Sequence, residues 1–176
     1  MEIQSRPIAQ LGESILREIA PVIDNIAAET VQQLAQEMLL TLENSSGVGL
    51  AAPQIFESTR LIIVASRPTK RYPYAPEMAP TVMINPEYTP TDTVLEKDWE
   101  GCLSIPGIRA LVPRYPSIRV VYYSLEGERK EVTLAGFVAR VFQHEYDHLN
   151  GLVYLDRVEN NRDIISEQAF FKLIAA

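Results

Sequence analysis

Side chains suited to binding transition metals are scarce in this chain: 176 residues hold one cysteine and two histidines. A lone cysteine rules out an internal disulfide framework and suits a reducing compartment, so a cytoplasmic location of bacterial type is expected. Long apolar runs are missing too. None reaches the roughly 18 residues needed to cross a bilayer, and no membrane association is expected. The first twenty residues mix Glu2, Arg6, Glu13, Arg17 and Glu18, unlike a secretory signal or a typical transit peptide. There is no basic block. The net charge of −7 is spread along the chain, which argues against direct nucleic-acid binding through phosphates.

What is present fits one compact domain over residues 1–176, with 47% hydrophobic residues and no repeat. Asp24 or Asn25 can cap a helix whose apolar face is Val31, Leu34, Ala35, Met38, Leu39 and Leu42. Ser45-Ser46-Gly47 stops it. Leu61–Ala65 is a buried strand. Pro68, Pro73, Pro76 and Pro80 exclude a helix or central strand, and a surface excursion is expected there. Further strands are expected at Val82–Asn85, Val94–Trp99, Ile118–Leu125 and Lys130–Leu134, the last two as a hairpin. Leu134–Leu149 is a central helix, apolar nearly all round, and Asp163–Ala175 a final helix. The fold class is therefore α+β: mixed or antiparallel strands around a central helix, with an N-terminal and a C-terminal helix.

Both histidines fall in His144-Glu145-Tyr146-Asp147-His148. Chance would space two histidines four apart in roughly 1% of such chains, so this H-E-x-x-H is informative. On a helix, positions i and i+4 share a face and can reach one cation. Glu145 follows the first ligand and can act on a water held by that cation. A catalytic site needs a third protein ligand, which must be Cys, Asp or Glu here. Cys102 is the best candidate, although a lone cysteine is often a small buried hydrophobe.

Three segments in order carry a family resemblance: Gly47-Val48-Gly49-Leu50-Ala51-Ala52-Pro53-Gln54, Glu100-Gly101-Cys102-Leu103-Ser104 and Gln143-His144-Glu145-Tyr146-Asp147-His148-Leu149-Asn150-Gly151. The chain resembles the peptide deformylases from about Leu11 to Asp156. The resemblance implies removal of the formyl group from N-formylmethionyl nascent peptides. It implies Cys102, His144 and His148 as metal ligands and Glu145 as general base and acid. Gln54 and the Leu103 backbone N–H would hold the developing oxyanion. The implied metal is Fe²⁺, with Zn²⁺, Ni²⁺ or Co²⁺ able to take its place. The pattern also pairs Glu100 with a later arginine, for which Arg114 is the candidate.

A methionine substrate needs an apolar slot. Phe137, Val141 and Val48 are candidates, and plain core packing would explain them equally. Gly47 and Gly49 allow close approach to a substrate chain, or simply end a helix; Gly101 lies beside the proposed cysteine ligand. Arg140 can edge the slot with its stem, its charge reaching solvent or a carboxylate. Arg109 borders the cleft in one reading; in the other, both Arg109 and Arg114 are solvated surface groups. The tail from Asp156 is slightly acidic and carries Phe170, Phe171 and Ile174. It favours packing onto the body or a partner, leaving at most a transient ribosome contact. A zinc endopeptidase and a non-catalytic peptide binder are the rival readings. The first usually needs a third histidine or a glutamate ligand; the second would need lost catalytic residues.

Overall fold

The computed structural model describes residues 3–175. Its elements run α1 (Glu29–Glu43), β1 (Gly49–Ala51), β2 (Leu61–Ser66), β3 (Met78–Pro90), β4 (Glu96–Cys102), β5 (Ile105–Arg114), β6 (Ser117–Tyr123), β7 (Arg129–Ala135), α2 (Gly136–Leu149), β8 (Ile164–Ser166) and α3 (Glu167–Ile174). Two antiparallel sheets form, in the orders β1-β2-β3-β6-β7 and β4-β5-β8. This is the α+β class expected, and β6 and β7 are the expected hairpin. Among the described residues no helix is long and apolar enough to cross a membrane.

β2 is buried along its whole length because both of its faces are covered. Ile62 and Val64 pack with Ala139, Phe142 and Leu149 of α2. Leu61 and Ile63 pack with Ala35, Met38 and Leu42 of α1. A strand buried on both sides shows a continuous apolar run rather than alternation, as Leu61–Ala65 does. A third cluster joins Ile105, Ala110 and Val112 of β5 to Val153 and Tyr154 just after α2. The first of these clusters seats α2 on the five-stranded sheet, and ten residues of the helix are buried.

Several boundaries differ from expectation. α1 begins after Ala28, with no side-chain cap, because Asn25 closes a turn with Ala28 N–H and Gln32 Nε2 holds Ile26 O at 3.0 Å. The proline-rich segment is a loop only to residue 77. Pro80 lies inside β3, at the register shift between Val64 and Ser66 of its partner, where a missing N–H is tolerated. Ala135 and Leu134 belong to β7, so the central helix starts at Gly136. The last helix starts at Glu167, after β8 has paired with β5.

Candidate active site

Three elements meet at one point. β4 and β5 join through a two-residue turn, Leu103-Ser104, which presents Cys102 opposite Ile105. α2 presents His144 and His148 on one face, their ring centroids 5.2 Å apart. A short 3₁₀ turn after β1, Ala52–Ile55, carries Gln54. Ligand atoms of Cys102, His144 and His148 all lie within 4.8 Å of one another. Cys102 Sγ is 3.4 Å from His148 Nε2. Tetrahedral bonds of about 2.3 Å to sulfur and 2.05 Å to nitrogen would separate those atoms by roughly 3.5 Å. The donor set therefore fits a divalent cation both in chemistry and in spacing.

A second partner orients His144, whereas the buried His148 Nδ1 has no hydrogen-bond partner among the described residues. His144 Nδ1 donates to Glu100 Oε2 at 2.9 Å, which leaves Nε2 as its lone-pair atom. Glu100 also accepts Arg114 Nε and Nη2 at 2.9 and 3.0 Å, and Arg140 Nη1 at 3.0 Å. Arg114 in turn reaches Asp147 at 2.6 Å. Burial alone would push the Glu100 carboxyl up, but the Arg114 charge and the His144 hydrogen bond outweigh it. The net effect holds Glu100 below the usual carboxylate range. Burial lowers His148, leaving it a neutral donor. For His144 burial is outweighed by the Cys102 charge, which favours a proton on Nε2, the position that a bound cation would take over. The His144 ring also stacks on Tyr154, 5.8 Å between centroids.

Glu145 is 4% exposed, and its Oε2 has no hydrogen-bond partner among the described residues. Burial pushes its pKa up to about 7. Its carboxylate rests against the backbone of β1. A Cβ on Gly49 would lie 2.5 Å from Glu145 Oε1, so only glycine leaves room. Gln54 is oriented as well. Its Oε1 accepts Ala51 N–H at 2.9 Å, so its NH₂ points to Ser104 Oγ at 3.2 Å and Cys102 Sγ at 3.5 Å.

This geometry agrees with comparisons to known proteins. The model of the polypeptide deformylase family matches residues 5–163. The chain belongs to the polypeptide deformylase family. It is 50% identical to peptide deformylase 2 of Nostoc sp. over 168 residues, 96% of this chain and 94% of that protein. A class I type b peptide deformylase from Acinetobacter baumannii, solved with Met-Ala-Ser bound, superposes with a TM-score of 0.86 at 43% identity. That match covers 89% of this chain and all of the other. The Synechococcus elongatus enzyme with actinonin gives a TM-score of 0.79 at 36% identity, over 90% and 81% of the chains. Peptide deformylases are metal-dependent hydrolases that remove the N-formyl group from nascent peptides.

In this deformylase a cleft of about 240 Å³ opens beside the cluster, small against the ~300–1,000 Å³ of typical ligand pockets. Val48, Gly49, Gly101, Leu103, Phe137, Arg140, Val141 and Arg109 all line it. Val141 and Phe137 also belong to the α2 core, so slot and core packing coincide. Neither Arg109 nor Arg114 is solvated; each is 4% exposed. Arg140 is buried too, and its charge meets Glu100, Val112 O and Glu96 O rather than solvent. The guanidinium of Arg109 lies flat on Gly101, where a Cβ would sit 2.3 Å from its Nη1.

Sequence reasoning missed Ser104, Asp147, Tyr154 and Arg157, which grips Asp147 at 2.8 Å. It also missed Ser46, Arg71, Tyr72 and Glu167 on the cleft wall. Asp147 and Ser104 carried a signal, through their places inside the H-E-x-x-H and Glu100–Ser104 segments. The proline-rich loop is thus more than a surface excursion: it lends Arg71 and Tyr72 to the cleft.

Proposed function

We propose that Cys102, His144 and His148 hold the catalytic cation of this deformylase, and that Glu145, Gln54 and Leu103 carry the chemistry. The observation behind this reading is a buried, unpartnered Glu145 oxygen beside three convergent metal donors. When bound, a divalent cation polarises the formyl oxygen and lowers the pKa of an attacking water. Glu145 Oε2 takes a proton from that water as its oxygen bonds to the formyl carbon. As the carbon–nitrogen bond breaks, the proton passes to the departing amine, leaving formate and a free N-terminus. The Gln54 NH₂ and the Leu103 backbone N–H stabilise the oxygen on which negative charge develops. Glu100 fixes the His144 tautomer, and Gly49 keeps the Glu145 carboxylate in place.

The substrate wall in this proposal is Val48, Gly49, Gly101, Phe137, Val141, Arg140 and Arg109. Phe137, Val141 and Val48 take the methionine side chain. The Met-Ala-Ser held by the Acinetobacter baumannii relative supports a cleft that also accepts residues after methionine. We further propose Fe²⁺ as the native metal, with Zn²⁺, Ni²⁺ or Co²⁺ acceptable to the same thiolate and imidazoles. Residues 1–176 are read as one catalytic domain, working in the cytoplasm on newly made N-formylmethionyl chains. α3 packs Phe170 inward against Trp99, 5.8 Å between ring centroids, which supports packing of the tail onto the body. The test is metal content and formate release in Cys102→Ala, His144→Ala and His148→Ala. Each variant is expected to lose both together; full metal occupancy with normal turnover in any of them would remove that residue from the site.

A further inference from the structure

A second chain of polar contacts surrounds the mouth of the cleft. Arg71 donates Nη1 to Ser46 Oγ at 2.8 Å and Nη2 to Glu167 Oε1 at 3.0 Å. One guanidinium thereby ties the loop after α1 and the proline-rich loop to the first turn of α3. The other Glu167 oxygen accepts Arg109 Nε and Nη2 at 3.2 and 2.9 Å. Arg109 Nη1 donates to the Tyr72 hydroxyl at 3.0 Å, and the Tyr72 ring lies 4.7 Å from Phe137. Ser46, Arg71, Tyr72, Arg109 and Glu167 all line the cleft that holds the metal donors. Exposure rises outward, from 0% at His148 to 26% and 23% for the Arg71 and Glu167 side chains.

Among the described residues, Glu167 is the one carboxylate that joins both arginines. It lies beyond residue 163, where the match to the family model ends. Arg109 is buried, so it depends on Glu167 to balance its charge; the faces of Tyr72 and Phe170 add only cation–π support. With Glu167 in place, Arg109 gives three of its five N–H donors to Glu167 and the Tyr72 hydroxyl, which fixes its guanidinium in the wall. Arg71 uses two of its five N–H donors in these contacts, and its side chain, 26% exposed, keeps the rest for a further partner. They suit the backbone carbonyls of an extended peptide.

We propose that the C-terminal segment completes the substrate cleft. Glu167 is a positioning residue that holds Arg71, Arg109 and Tyr72 as the outer wall for the peptide that follows formylmethionine. The inference rests on the deformylase reading of the inner cleft. A purely structural Glu167 would disturb all substrates alike, whereas a wall residue matters only when the substrate reaches it.

The experiment compares formyl-Met-Ala-Ser with formylmethionine amide, which ends before the wall. Formate release is followed for the full-length metal-loaded protein and for Glu167→Gln, Arg71→Ala and the double variant. Glu167→Gln is expected to raise KM for the tripeptide about tenfold, with kcat within about twofold. Its KM for the amide should change by less than about twofold. Arg71→Ala should shift the same parameter, and the double variant should add little to either single one. Equal changes on both substrates, no change on either, or loss of turnover on the amide would overturn the wall. Absence of formate from wild-type protein with both substrates would overturn the deformylase reading and the wall together.

Discussion

Glu100 binds Arg114, Arg140 and His144 at once, so one buried carboxylate orients the His144 ring that the proposed site uses to hold the metal. Gln54 is held in a similar way, through the Ala51 N–H on one side of its amide. Gln54→Leu should therefore do two things. It should cut kcat by about 10²–10³-fold through loss of an oxyanion donor. It should also lower stability by about 1–3 kcal/mol, because Ala51 N–H is left buried without an acceptor. Formate kinetics and urea unfolding check both parts. The convergence of Cys102, His144 and His148 was legible in the sequence, because few residue types bind such cations and helical spacing limits where they can stand. Asp147, Arg157, Tyr72 and Glu167 were not. They are ordinary residue types whose roles arise only when distant loops pack together.

At the level of elements, α2 was legible through its length and its apolar surface, and β2 through its continuous apolar run. β5 was hidden by Pro106, Gly107 and Pro113. In the fold, Pro106 and Pro113 lie outside residues 108–110, the stretch paired on both sides, so their missing N–H groups cost little. β8 is three residues long and gives no periodic signal. α3 was expected to begin at Asp163, because nothing local reveals that Ile164–Ser166 pairs with β5. Phe170 anchors α3, 2% exposed and against Trp99. Phe170→Ala should free this short helix rather than unfold the protein. Hydrogen exchange should quicken across Glu167–Ile174 while α2 stays protected. Equal loss of protection in α2 would show that α3 and the core unfold as one unit.

For the whole molecule, the two sheets and α2 bring together segments from Gly47 to Glu167, more than two-thirds of the chain. The metal sits at their junction in this account, and its identity should govern behaviour in air. Reloaded anaerobically, the Fe²⁺ form should be the fastest. Aeration should inactivate it as the Cys102 thiolate is oxidised, while the Ni²⁺ and Zn²⁺ forms persist. Equal rates and equal air stability for all three would contradict this choice of metal without touching the family. The division of labour between metal holding and proton transfer is tested most directly by Glu145→Gln, with metal content and formate release from a formyl-Met peptide measured on the same sample. Full metal occupancy and a rate at least about 10²-fold lower are expected. Near-normal formate release with the metal in place would contradict the account.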